Sequence, residues 1–308
     1  MLQKKQLIRL LQTLIIFTVM LSAYSLQARD LAEIKKDGVL RHIGVPYANF
    51  VTQYAQGNKT IESGLDVELM QGFAKHLGLR YEYVKANWGN VFTLLNGQSA
   101  HYQNKQVVFG EQTQTILGDV IANGATILDW RKQVVDFSDV YFPSAVWLVA
   151  RSDSSLSPIT PSDSIEQDIR QVKTLMGNTN VLAMKHSCLD PDLYNLYQTD
   201  ANIILPVKAR KLNEMIPAIL NNDAESTLLD VPDILIALQR WPGEIKVIGP
   251  VSENQEMAVA FRKNSPELRH EFNLYLRQLK KEGTYHKLVK KYYPSVFYFY
   301  GDFFTTKS

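Results

Sequence analysis

Two rounds of alternating strand-like and helix-like segments, parted by a Ser/Pro-rich break, constrain the fold of this chain more than any other feature. In the first round, VLRHIGVPY (39–47) reads as a strand ending at Pro46 and Asn49, preceded by a short polar helix over Leu31–Lys36 and Gly38. Residues 54–63 are polar and read as a loop or hairpin. In GLDVELMQGFAKHLGL (64–79), Met70, Phe73, Ala74 and Leu77 share one helical face, and Gly78 sits where a helix is closed. YEYVKA (81–86) alternates as a strand, GNVFTLLNG (89–97) is a short glycine-closed helix, and GDVIANGATI (118–127) and VWLVAR (146–151) are strands. SDSSLSPITPSDS (152–164) reads as an exposed connection. The alternation then restarts: NVLAMK (180–185) and NIILPV (202–207) as strands, LDPDLYNLY (189–197) and KLNEMIPAILNN (211–222) as helices. STLLDVPDILIALQ (226–239) is strand, turn and helix, and EIKVIG (244–249) and EMAVAFRK (256–263) are further strands. A helix capped by Ser265-Pro266 carries Phe272, Tyr275, Leu276 and Leu279 on one face and ends at Gly283; a second spans His286–Tyr293.

The first 28 residues stand outside this pattern. Lys4, Lys5 and Arg9 precede a mostly apolar run over Leu10–Ala23, and small residues follow at Ser25 and Ala28. This is the pattern of a cleaved secretory signal, with the cut after Ala28 or after Ser25. No cysteine lies near the cut, which argues against a lipoprotein. Of the 33 Lys+Arg, three belong to this leader, so 30 remain against 31 Asp+Glu. A balanced mature chain gives no reason to expect nucleic acid or an anionic membrane as partner. The lone Cys188 excludes an internal disulfide, and the histidines at 42, 76, 101, 186, 270 and 286 show no metal-ligand spacing. No phosphate loop, GxSxG elbow or repeat is present, so no metal or cofactor is expected.

The chemistry concentrates in GATILDWRKQVVDFSDVYF (124–142). Arg131 follows Thr126 by five residues at a strand-to-helix turn, with Asp129 read as the helix N-cap. Backbone N–H groups, a hydroxyl and a guanidinium fork there suit the capture of a small carboxylate.

Six segments in order, GVLRHIGVP, GLDVELMQGFAKHLGL, NWGNVFTLLNG, GATILDWRKQVVDFSDVYF, LLDVPDILIAL and EGTYHKLVKKYY, resemble the family 3 extracellular solute-binding proteins, the periplasmic amino-acid receptors of ABC importers. The resemblance implies an α/β, two-lobed periplasmic-binding-protein fold (type II), with the ligand cleft between lobes joined by two crossing strands near Leu148–Arg151 and Glu256–Phe261. Lobe 1 is then 29–150 plus 255–308, and lobe 2 is 151–254. It implies that Arg131 clamps a ligand α-carboxylate with Thr126. The carbonyl of Gly124 and the carboxylate of Asp230 take the ammonium, and Phe50 and Trp88 sandwich the side chain. Lys185 and Ser187 lie in the lobe 2 loop that offers further donors. The implied ligand is a small zwitterion of the amino-acid class, the partner an inner-membrane ABC permease, and the state a periplasmic monomer.

The chain departs from the family pattern in four places. Leu128 and Asp129 stand where Thr and Pro are usual, and bulky Trp130 stands where a charged residue is usual. The loop HSCLDPD has no glycine, and about 20 extra residues, Gln98–Leu117, form a polar insert with a β-like VVF. Two other readings stay open. One is a sensor or interaction module on the same fold with a changed or lost ligand, to which the insert and the aromatic tail VFYFYGDFF (296–304) point. The other is a cyclohexadienyl-dehydratase-like enzyme, for which Asp230 is the available acid.

Overall fold

The computed structural model describes residues 29–57, 59–206 and 212–306. The expected signal segment, residue 207 of the NIILPV strand and residue 211 at the start of a predicted helix lie outside the described residues.

The alternation resolves into two five-stranded sheets. The chain begins with α1 (Leu31–Asp37), β1 (Val39–Gly44), a hairpin of β2 (Thr52–Gln56) and β3 (Lys59–Ser63), α2 (Leu65–His76), β4 (Arg80–Lys85) and α3 (Val91–Asn96). An inserted hairpin, β5 (Gln98–Gln103) and β6 (Gln106–Thr113), precedes β7 (Val120–Ile121), α4 (Asp129–Val134), β8 (Asp136–Phe137) and β9 (Phe142–Ser144). Next come β10 (Val146–Arg151), α5 (Ile165–Leu175), β11 (Asn180–Leu182), β12 (Asn202–Ile204), α6 (Met215–Leu220), β13 (Ser226–Asp230), α7 (Val231–Arg240) and β14 (Ile245–Pro250). The chain returns through β15 (Gln255–Met257) and β16 (Ala260–Phe261) to α8 (Pro266–Lys281), α9 (Thr284–Tyr292), α10 (Val296–Phe299) and α11 (Gly301–Thr306).

The first sheet has the order β4-β1-β7-β16-β8 and the second β12-β11-β13-β10-β14. In both, the strands that alternate with helices pair in parallel, and an antiparallel strand completes the sheet: β16 between β7 and β8, β10 between β13 and β14. The chain passes between the sheets at β9 and comes back at β15, and these two strands pair antiparallel, Phe142 with Met257 and Ser144 with Gln255. The sequence reading placed the outward crossing at Leu148–Arg151 and left residues up to 150 in the first lobe. β10 instead lies inside the second sheet, hydrogen-bonded on both edges, so the crossing falls at Phe142–Ser144. A near-continuous apolar strand carries no mark of which sheet it joins.

Local chemistry explains most of the elements. Asp30 caps α1 in a capping box with Glu33, and its carboxylate also accepts from the first N–H groups of α8, tying the two ends of the first lobe together. Phe73 of α2 packs edge-on to Phe272 of α8 at 5.2 Å. Four expectations change. Helix α4 starts at Asp129 with Leu128 as its N-cap; Asp129 pairs instead with Lys132 at 2.9 Å. LDPDLYNLY forms two 3-10 turns, because Asn195 adopts a left-handed conformation (φ 53°) between them. EMAVAFRK is not one strand but the pair β15 and β16. The predicted 211–222 helix shortens to α6, with Pro217 in its first turn, where a missing N–H does no harm. Helix α5 has no counterpart in the sequence reading: only Asp168 and Val172 are buried along it, too thin a stripe to recognise.

The insert is a hairpin turned by Asn104 and Lys105, both at positive φ (51° and 61°), as a tight two-residue turn requires. Tyr102 stacks on Trp130 of α4 at 6.3 Å, and His101 meets His186, in the loop after β11, at 5.1 Å. The aromatic tail is divided. Phe297 stacks on His286 at 4.1 Å and Phe304 packs on Phe297 and Phe142, while Tyr298 is 88% exposed. No helix among the described residues is long and apolar enough to cross a membrane, and no group of three or more metal-ligating side chains occurs among them.

Candidate functional site

Arg131 projects from the single turn and a half of α4 into the space between the two sheets. Its side chain is 1% exposed, with the Trp88 ring 5.1 Å and the Trp130 ring 5.4 Å from the guanidinium. Nη1 donates to the Thr126 carbonyl at 3.0 Å, while Nε and Nη2 have no protein acceptor. Burial lowers the pKa, opposed by the nearby Cys188, Tyr194, Tyr47 and Asp230. An arginine nonetheless stays charged at any physiological pH. A buried cation with an unpaired two-donor edge donates strongly to a carboxylate, since an unsatisfied buried donor is costly.

The loop before α4 is fixed from two sides. Thr126 forms a bridge with Met257, and the Ile127 N–H donates to the Glu256 carbonyl, so the loop is stitched to the returning strand β15. The Thr126 hydroxyl is buried without a partner, as are both amide atoms of Asn123. Gly124 adopts φ 65°, and a Cβ there would sit 2.4 Å from the Phe50 ring, so only glycine fits. The Gly124 N–H donates to Asp66 Oδ2 at 2.7 Å, and the Tyr141 hydroxyl donates to the same oxygen at 2.7 Å. Burial raises the Asp66 pKa to about 7, against the pull of these two donors.

Asp230 approaches from the second sheet, at the end of β13 and the N-cap of α7. Its Oδ1 accepts from the Asp233 N–H at 3.4 Å. Its Oδ2 accepts from the Tyr47 hydroxyl and from Cys188 Sγ at 3.5 Å. Desolvation raises its pKa, and Asp233, equally buried and facing the Asp230 charge, is driven higher still. Tyr47 belongs to the first lobe, so its bond to Asp230 joins the lobes directly.

Arg131, Thr126, Gly124, Trp88 and Asp230 thus gather about one region between the sheets. The other three sequence-predicted residues lie differently. Phe50 is fully buried among Tyr47, Tyr141, Phe142 and Tyr293, with Tyr47 stacked over it at 5.8 Å; the ring that faces Asp230 is Tyr47. Lys185 is exposed. The Ser187 hydroxyl closes its own turn, donating to the Met184 carbonyl at 2.8 Å and accepting from the Leu189 N–H at 3.0 Å. That loop presents Cys188 instead, whose carbonyl is held by the Tyr194 hydroxyl at 2.5 Å. Tyr47, Cys188, Asp233 and Asn123 are therefore site residues the sequence reading missed. Tyr47 lay in view, in PYANF (46–50), but nothing in a one-dimensional pattern separates it from Phe50.

The model of the bacterial extracellular solute-binding proteins, family 3, matches residues 109–295. The chain belongs to this family. It is 25% identical over 263 residues to the L-cystine-binding protein TcyA of Bacillus subtilis (strain 168), covering 85% of this chain and 84% of that protein. Among solved structures it is similar to the amino acid ABC transporter substrate-binding protein AbpA from Streptococcus pneumoniae, solved bound to L-arginine. The TM-score is 0.65 at 21% identity, covering 86% of this chain and 98% of that one. It is similar as well to the ancestral amino acid-binding protein AncCDT-1, a precursor of cyclohexadienyl dehydratase, with a TM-score of 0.63 at 23% identity over 85% of this chain and 98% of that one. Membership accounts for the paired sheets and the two crossings, and it makes the chain an extracellular or periplasmic solute-binding protein of two-lobed α/β fold.

Proposed function

We propose that this family member captures a small amino acid, or a close analogue, between its lobes and presents it as a monomer to an ABC-type permease in the periplasm, after removal of its signal segment. The observation that carries the reading is Arg131: a guanidinium 1% exposed, between two indole rings, with Nε and Nη2 free. Thr126 and Asn123 add buried hydroxyl and amide groups without partners nearby in the chain. Asp230, on the opposite sheet, supplies an anionic pole close enough to Arg131 to act on its charge. Trp88 forms one wall, and Tyr47 takes the place expected for Phe50 as the other. The ligands named for two of the relatives, L-cystine and L-arginine, are both amino acids, which supports the ligand class and leaves the side chain open.

A thermal-shift screen of the twenty L-amino acids tests this. A ligand at 100 times its Kd adds about 2.7 kcal/mol of stability, and Arg131→Ala is expected to abolish the shift. A hit whose shift survives Arg131→Ala overturns the site. We read the chain as a binding protein rather than an enzyme. Asp230 is the acid a dehydratase would need, and it is engaged by Tyr47, Cys188 and the Asp233 N–H. A bound acid is therefore expected to be recovered unchanged after prolonged incubation, as chromatography would verify.

A further inference from the structure

The two poles of the site are not equally open. Both oxygens of Asp230 already accept from within the protein: Oδ2 from the Tyr47 hydroxyl and Cys188 Sγ, Oδ1 from the Asp233 N–H. Arg131 has one donor engaged, Nη1 on the Thr126 carbonyl, and leaves Nε and Nη2 free. Those two N–H groups lie along one edge of the guanidinium plane and fit the two oxygens of a carboxylate in parallel. A ligand carboxylate therefore finds unpaired donors. A ligand ammonium finds Oδ2 already occupied by Tyr47 and Cys188, so there it competes with Tyr47.

Tyr47 is not free to step aside at no cost. Its ring is fully buried, stacked on Phe50 at 5.8 Å and edge-on to Trp88 at 6.2 Å, so its hydroxyl cannot exchange Asp230 for water without the ring moving. An ammonium that displaces it gains a charge-assisted bond and breaks one, leaving a buried phenol unpaired.

We propose that Tyr47 is a specificity-determining residue: by donating to Asp230 it competes with a ligand's α-ammonium, so the site selects its ligand through the carboxylate and accepts 2-hydroxy acids nearly as well as the matching amino acids. This rests on the reading of Arg131 and Asp230 as the ligand's two poles. It makes small carboxylic acids a ligand class beside the amino acids.

The test is titration calorimetry with L-amino acids and with the L-2-hydroxy acids carrying the same side chains, on the wild-type protein, Tyr47→Phe and Asp230→Asn. In the wild type, the members of a binding pair should differ by less than about tenfold. Tyr47→Phe removes the competitor and should tighten the amino acid about tenfold while leaving the hydroxy acid unchanged, the worth of one hydrogen bond to a charged group. Asp230→Asn should keep hydroxy-acid binding within a few-fold. A wild-type preference for the amino acid above about a hundredfold, or an unchanged ratio in a folded Tyr47→Phe, overturns the proposal and leaves the amino-acid reading standing. Binding of neither series to the wild type overturns that reading and the proposal with it.

Discussion

At the scale of single residues, the site depends on side chains that never reach it. Asp66 holds the Gly124 loop by accepting its N–H, yet burial raises its pKa to about 7. A carboxyl whose folded pKa lies above its unfolded value of about 3.8 contributes stability fully present below that value and lost as pH rises through about 7. Asp66→Asn cannot titrate, so its melting temperature relative to wild type is expected to be higher at pH 8 than at pH 5. Equal differences at both pH values, measured by calorimetry, would show that Asp66 is not ionised by burial-limited titration. Gly124 is constrained more sharply. Gly124→Ala forces a Cβ to 2.4 Å from the Phe50 ring at φ 65° and is expected to cost about 2–4 kcal/mol in urea unfolding, with ligand binding weakened alongside. A cost under 0.5 kcal/mol would mean the loop repacks freely.

At the scale of elements, the hairpin of β5 and β6 bears on both sides of the site. It packs on α4 through Tyr102 and Trp130, and so braces the helix that carries Arg131. Its His101 also reaches His186, in the loop that carries Cys188, so the hairpin touches the second lobe. Desolvation, His101 and Lys185 lower the His186 pKa, and Asp190, which accepts from the His186 N–H at 2.8 Å, opposes them. A base with a lowered pKa favours the contact while neutral, and the contact weakens as pH falls below the ordinary histidine value of about 6.5. Alkylation of Cys188, relative to the urea-unfolded chain, is therefore expected to speed up between pH 7.5 and pH 5.5. His101→Gln should flatten that rise; an unchanged pH profile in the variant would remove the hairpin from the control of closure.

At the scale of the whole molecule, the crossing strands β9 and β15 and the C-terminal tail act together. Phe304 packs on Phe142 of β9, and Gln239 of α7 donates to Ser295 Oγ at 3.3 Å, so the end of the chain touches the crossing and the second lobe at once. Phe304→Ala is expected to lower stability by about 1–3 kcal/mol and to broaden the distribution of lobe separations in small-angle scattering. A loss of stability without broadening would confine the tail to packing.

The sequence by itself determined the α/β alternation and its division into two units, and it marked the polar stretch at 54–63 as a loop or hairpin and the segment holding Thr126 and Arg131 as a candidate carboxylate site. These rest on periodicity, turn residues and an isolated cation, all local quantities that a chain displays before it folds. Only the tertiary structure decided that β10 belongs to the second sheet, that Phe50 lies in the core while Tyr47 faces Asp230, and that Ser187 closes a turn while Cys188 looks into the cleft. Neighbours in the sequence alternate between opposite environments according to sheet twist, turn geometry and the approach of distant segments. An aromatic two or three residues from another carries the same composition signal whichever way it points. The polarity of the site, open at Arg131 and engaged at Asp230, is a property of three segments meeting across two lobes, and no single segment encodes it.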